Sequence, residues 1–396
     1  MPINFKKNTL EGGFEKALAL GVFFILAGLP ILPKVSNYHT FFYVLMLTPV
    51  IFHSVIYPRT VVGQISNITK IFIVFSIWSS LSILWSDTHD DISVPIKRSI
   101  YILSLFISFS IITNKNKDNL LKIFIASGLA ITLTAIYSLY ALQPLHLFDS
   151  RFVGTGALSN PLLSSHVFGI FSALFIALTI TSRKTNDKFI YFLLASILII
   201  ATFATESRTP LVALIAAAIW IAFILKNNKP ILTVSFSTII LVFVYILYSE
   251  AILSRGLSYR PELWSIAINK ILLKPMLGYG FDSNSGFYIS SLETNFREPH
   301  NIHLSILYFT GIVGFSLWCA MHMYALWACW KNKDDVLFVI ASALLVYGIT
   351  AGMTEGGGLL PRPKEHWFIT WIPLAFVSAL LTNKKLKAKE SLVEHR

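Results

Sequence analysis

Residues 205–226 read Thr-Glu-Ser-Arg-Thr-Pro-Leu-Val-Ala-Leu-Ile-Ala-Ala-Ala-Ile-Trp-Ile-Ala-Phe-Ile-Leu-Lys. Two charges stand at the front, one lysine stands at the back, and nothing charged lies between. A helix that is apolar all round has no face for water, so it is buried in protein or in lipid. With its polar flanks the run is long enough to cross the roughly 30 Å hydrocarbon core of a bilayer.

Outward from this stretch the pattern repeats. Apolar runs of similar length predict twelve spans, at 17–33, 39–57, 67–85, 96–113, 120–141, 163–181, 188–204, 210–226, 231–249, 301–330, 334–353 and 367–382. The fold class expected is therefore all-α, a polytopic transmembrane helical bundle with one long outer loop carrying short helices. Composition agrees. Only 13% of the residues are charged and 55% are hydrophobic, whereas soluble domains carry about 25% charge. The first apolar run follows Lys6, Lys7 and Lys16, as in a signal peptide, but so many spans follow that it reads as an uncleaved first helix.

The net charge of +12 would suggest nucleic acid if it were spread over a water-exposed surface. Its location says otherwise. Connecting segments on the same side as the amino terminus hold 20 of the 32 basic residues and 8 of the 20 acidic ones. The opposite side holds 12 of each and is neutral. The positive-inside rule then predicts cytoplasmic termini. Membrane lipids are expected as partners, and nucleic acid is not. Cys319 and Cys329 are ten positions apart in one apolar run, about 15 Å along a helix and too far for a disulfide. No Cys or His cluster has metal-ligand spacing, so neither a metal nor a cofactor is expected.

The chain divides into residues 1–249 with nine spans, a loop 250–300, residues 301–382 with three spans, and a basic tail 383–396. The spans lack the mid-depth carboxylates or arginines that ion-coupled transport normally requires. Polar residues gather instead at outer helix ends. Arg208 precedes Pro210 at the start of one span. In the long loop Arg260-Pro261-Glu262 opens an amphipathic stretch with Leu263, Trp264, Ala267, Ile268, Ile271 and Leu272 on one face, ending at Pro275. Glu298-Pro299-His300-Asn301 opens the span 301–330. Each of the three is a helix amino terminus, where free N–H groups and the macrodipole favour an anion. Two add a guanidinium fork suited to phosphate oxygens. The third adds an imidazole that titrates near neutral pH. The expected site is an outward pocket for a phosphate or diphosphate. Each residue also has a plainer reading, as an interfacial anchor, a helix cap or a satisfied histidine. His303, one turn below His300, competes for the same role. Arg151 and Arg297 are further outer cations, and Trp264 is either a sugar platform or an interface anchor.

Taken in order, these pieces resemble the O-antigen ligase and polymerase superfamily of bacterial envelope glycosyltransferases. The matching segments are Glu206-Ser207-Arg208-Thr209-Pro210, then Arg260-Pro-Glu-Leu-Trp264 with Lys274-Pro-Met-Leu-Gly278-Tyr-Gly280, then Pro299-His300-Asn301 with Gly311 and Gly314; Arg151 to Asn160, followed by Pro161, looks like an earlier family stretch. The resemblance covers roughly residues 150–315. It implies catalytic roles for Arg208, Arg260 and His300, with Asn301 beside the histidine; Arg151, His303, Trp264 and Arg297 are candidate substrate contacts read from the residues themselves, His303 being an extra histidine. It implies an undecaprenyl-diphosphate-linked glycan donor, a lipid A–core acceptor, a bacterial inner-membrane location and a periplasmic, metal-independent, inverting transfer. His300 would take the acceptor's proton or hold phosphate. A ligase is the first reading. A polymerase using the same donor is the second, and a lipid-carrier transporter is the alternative of another class.

Overall fold

The computed structural model describes residues 2–141, 151–226, 259–284 and 286–394. It is a bundle of long helices, as the apolar runs require. Eight of them fill the first part of the chain: α1 (Pro2–Ile31), α2 (Val35–Ile56), α3 (Asn67–Trp85), α4 (Ser93–Lys115), α5 (Asp118–Ala141), α6 (Pro161–Thr181), α7 (Thr185–Ala204) and α8 (Arg208–Leu225). The amphipathic helix α9 (Arg260–Leu273) follows, then α10 (Ile302–Lys331), α11 (Val336–Gly352) and α12 (Trp371–Glu394). Nine of the described helices are long and apolar enough to span a bilayer, and α11 is a shorter apolar one. The chain is thus a multi-pass helical membrane protein. The expected span 231–249 lies outside the described residues. Residues from 383 onward run on from the last span within α12.

Caps set several helix boundaries. Pro161 opens α6 behind Asn160, whose side chain accepts from the Leu162 N–H. Asp335 caps α11 in the same way. At one end of the bundle, segments expected to share a side do meet: Lys115 pairs with Glu15 at 2.9 Å and Lys117 with Asp335 at 2.5 Å. Inside, Trp318, Trp371, Phe72, Phe75 and Phe106 form a continuous ring cluster. Some buried polar groups pair across helices. Ser378 lies 2.7 Å from Ser66 and 2.9 Å from Thr69, and Asn383 donates to the Thr113 carbonyl. In lipid an unpaired group would cost several kcal/mol.

One irregularity positions the opposite end. Helix α10 is broken at Gly311, whose φ is +63° and ψ −170°. The break strips the Tyr308 and Phe309 carbonyls of their helical partners. The segment 275–280 fills the gap. Tyr279 N–H donates to Tyr308 O at 2.9 Å, Gly280 N–H donates to Phe309 O at 2.8 Å, and Ile312 N–H donates to Pro275 O at 2.9 Å. Gly278 has φ +69°, and a Cβ there would sit 2.6 Å from both the Gly311 nitrogen and the Tyr308 carbonyl oxygen. The two glycines are therefore required by one backbone crossing, which moors the end of α9 in the kink. We expect Gly278→Ala and Gly311→Ala each to cost at least about 1–3 kcal/mol in backbone strain alone. Both should melt earlier in detergent, whereas Gly13→Ala, with open space around it, should not.

Helix α9 lies along α10 with Leu263, Ala267 and Ile271 buried. Ile268 and Leu272, expected on the same face, are exposed instead, and Leu273, Met276 and Leu277 continue that apolar edge. After it comes an unforeseen hairpin, β1 (Phe287–Ile289) antiparallel to β2 (Thr294–Phe296), with Tyr288 opposite Asn295. The chain then enters α10 through Pro299-His300-Asn301.

Candidate functional site

The three helix starts singled out in the sequence are brought together by a fourth segment. Residues 353–365, between α11 and α12, include Gly356-Gly357-Gly358 and two prolines. Such a run cannot extend α11, so it crosses the end of the bundle as a loop. Thr354 and Thr209 share a hydroxyl–hydroxyl hydrogen bond of 2.5 Å, which places the loop beside Arg208. Glu355 Oε1 lies 3.4 Å from Arg260 Nη2. Gly357 N–H donates to Glu298 Oε2 at 2.7 Å. A Cβ on Gly356 would begin 2.5 Å from Glu298 Oε1 and 3.0 Å from His300 Nδ1. Four consecutive residues thus contact the neighbourhoods of Arg208, Arg260 and His300 in turn.

Each start is prepared locally. Arg208 is exposed at the first turn of α8. The turn before it is braced by Arg151, whose Nε donates to Thr205 O and Nη2 to Ser207 Oγ, both at 3.0 Å. Ser207 makes no side-chain cap on α8. Tyr259 likewise makes no side-chain cap on α9. The α10 start differs: Asn301 Oδ1 accepts from Leu304 N–H at 3.0 Å, so this oxygen serves as a cap. Trp264 donates its indole N–H to Pro299 O at 3.0 Å, tying α9 to the His300 turn. Arg297 is exposed on the hairpin side, within electrostatic reach of Asp282.

Two backbone positions are strained. Glu206 has φ +54° and His300 has φ +46°, a region where bulky residues persist only if their surroundings hold them there. Both immediately precede a helix N-cap residue. His300 and His303, which compete in the sequence, separate in space. His303 Nδ1 accepts from the Trp318 indole at 3.1 Å and its Nε2 lies 3.0 Å from Ile349 O, so both ring nitrogens are occupied inside the bundle. His300 instead faces Glu298 and Gly356 at the loop.

The electrostatics follow from burial. Burial pushes the His300 pKa below the ordinary imidazole value; Glu355 pulls it back up and Arg260 adds to the fall. At neutral pH the ring is therefore predominantly unprotonated and able to accept a proton. Burial raises the Glu298 carboxyl, opposed by the Gly357 N–H. Glu355 is 2% exposed and its Oε1 also lies 3.4 Å from His166 Nε2, without a well-aligned hydrogen bond.

Sequence reasoning missed Glu355 and His166, and quoted Glu298 without a role. The available signal was an acid inside a glycine-rich outer loop, a place where surface solvation alone favours neither. Among the described residues no set of three or more His, Cys, Asp or Glu is placed to hold a metal. What the arrangement offers is two guanidinium groups, two helix starts whose N-cap residues make no side-chain cap, and one neutral imidazole around a common loop. That suits an anion that gains charge beside a hydroxyl that loses a proton.

The profile of the family described as O-antigen ligase matches residues 190–319. An O-antigen ligase from Pseudomonas aeruginosa is 36% identical over 378 residues, covering 94% of this chain and 92% of that protein. A ComP-specific O-oligosaccharyltransferase from Acinetobacter baylyi is 24% identical over 72% of this chain and 56% of its own length. Likeness of this extent to the first relative, with the profile spanning Arg208, Arg260 and His300, shows that the chain belongs to the O-antigen ligase family.

Proposed function

We propose that the protein transfers a polysaccharide from undecaprenyl diphosphate to the lipid A–core at the periplasmic face of a bacterial inner membrane, with both termini in the cytoplasm. The observation that carries this reading is the contact of residues 354–357 with all three helix starts.

The acceptor hydroxyl attacks the anomeric carbon on the face opposite the diphosphate. The C–O bond to the diphosphate breaks, its electron pair leaves with the diphosphate oxygen, and the configuration inverts. The hydroxyl proton passes to His300. A diphosphate is already stable as an anion, so no acid is needed to expel it. Arg208 and Arg260, with the N–H groups at the starts of α8 and α9, oppose the charge that develops there. These fixed cations supply the stabilisation that a divalent ion would otherwise give. Arg151 stands behind Arg208, and the apolar edge of α9 meets the bilayer from which the prenyl chain comes.

Deleting the gene and resolving the lipopolysaccharide on a gel tests this directly. The expected result is core lipid without polymer, with polymer retained on its carrier. Core bearing a single repeat would assign a polymerase. Lipopolysaccharide identical to wild type would overturn the reading.

A further inference from the structure

Glu355 and Glu365 are the two most deeply buried carboxyls among the described residues, and of the two only Glu355 approaches an arginine proposed for the site. It is 2% exposed. Burying a carboxylate costs several kcal/mol unless partners repay it. A neutral residue would hold a glycine loop more cheaply. Beneath it the Tyr347 hydroxyl and both nitrogens of His166 are buried without a hydrogen-bond partner. The charge is kept where Arg260 Nη2 and His166 Nε2 each approach one carboxylate oxygen at 3.4 Å. It also acts on His300, from which Arg260 pushes in the opposite direction.

We propose that Glu355 is a positioning residue of the transfer site: wedged between His166 and Arg260, its carboxylate sets the plane of the Arg260 guanidinium and, through Thr354 and Gly356, keeps Arg208 and His300 in register with it. Arginine has a long stem and several rotamers, and its fork recognises a diphosphate only when its plane is fixed. Pinning Nη2 from the buried side turns the group from a mobile cation into an oriented one. The carboxylate faces Arg260 and His166 directly. Around His300 the other charged or titratable groups are Arg260, Glu298 and His366. The assignment rests on the reading of the site given above.

The test uses the full-length protein in nanodiscs with carrier-linked polysaccharide and lipid A–core as substrates. Glu355→Gln keeps the shape and removes the charge. We expect kcat to fall on the order of 10- to 100-fold, as when the group orienting a working residue is lost, with a smaller change in KM. The acid limb of the pH profile should move to lower pH, because the group that raises the His300 pKa is gone. Glu355→Asp should recover part of kcat and return the acid limb toward wild type. Unchanged kcat and pH profile in Glu355→Gln would overturn the assignment. So would a loss of activity that only follows the loss of folded protein, judged by melting in the same nanodiscs. Arg260→Ala and His300→Ala, run in parallel, separate the two failures. If they abolish transfer while Glu355→Gln does not, only the Glu355 assignment falls. If they too transfer normally, the site itself is wrong.

Discussion

Arg208→Ala will reduce glycan transfer by roughly 100-fold or more, the scale set by removing one preorganised donor from a developing anion, while leaving the protein folded in the membrane. Arg208 is exposed at the start of α8, so truncating its side chain opens no cavity. Arg260→Ala should be as damaging to transfer but less clean, because it removes the guanidinium from beside the buried Glu355 carboxylate. Removing one partner of a partly buried ion pair is destabilising, so this variant should also melt earlier. The conservative changes sharpen the argument. Arg208→Lys and Arg260→Lys preserve charge but lose the planar fork, and should recover only a small part of the rate. Transfer would be followed in membranes by the appearance of polymer on core lipid, with insertion checked by immunoblot. A lysine variant working at the wild-type rate would show that positive charge alone suffices. An active Arg208→Ala would remove that residue from the proposed transfer site.

The contrast between those arginines shows which parts of the molecule sequence can reveal. The spans are legible because hydrophobic length is a local property. Each long helix from α3 to α11 covers its predicted span to within a few residues. The helix starts at Arg208, Arg260 and His300 are legible for the same reason, since Pro210, Pro261 and Asn301 sit beside them. What joins them is not local. The kink at Gly311 depends on residues 275–280, and glycine spacing alone does not say which backbone comes close. The loop 353–365 has no periodicity, and its contacts reach back to Thr209, Arg260 and Glu298, over separations of 145, 95 and 59 residues. His166 was unremarkable on an apolar helix until Glu355 came alongside it. The choice between His300 and His303 also needed three dimensions, because Trp318 and Ile349, which occupy His303, lie on later turns and on another helix.

That separation yields the second large effect. His300→Ala should lower kcat by on the order of 10²- to 10⁴-fold, the range for losing a general base, with melting close to wild type because the ring packs at a loop rather than in the core. His303→Ala should do the reverse. It removes the partner of the Trp318 indole and leaves that buried N–H unsatisfied, at a cost of about 1–3 kcal/mol, so it should destabilise the protein more than it slows the chemistry of what remains folded. The pH dependence follows from the same ring. With His300 as the proposed base, its neutral imidazole is the working form, and burial holds its pKa below the ordinary 6.5. Activity should therefore be flat from neutral pH downward, and fall only when the pH passes below that lowered value, as the ring takes up a proton and can no longer accept one. In His300→Ala the residual rate should lose this acid limb. If His300 held phosphate as a cation instead, the sign would invert, and transfer would rise as the pH fell through the same region. A rate-against-pH series on wild type and His300→Ala therefore distinguishes base from phosphate ligand in one measurement.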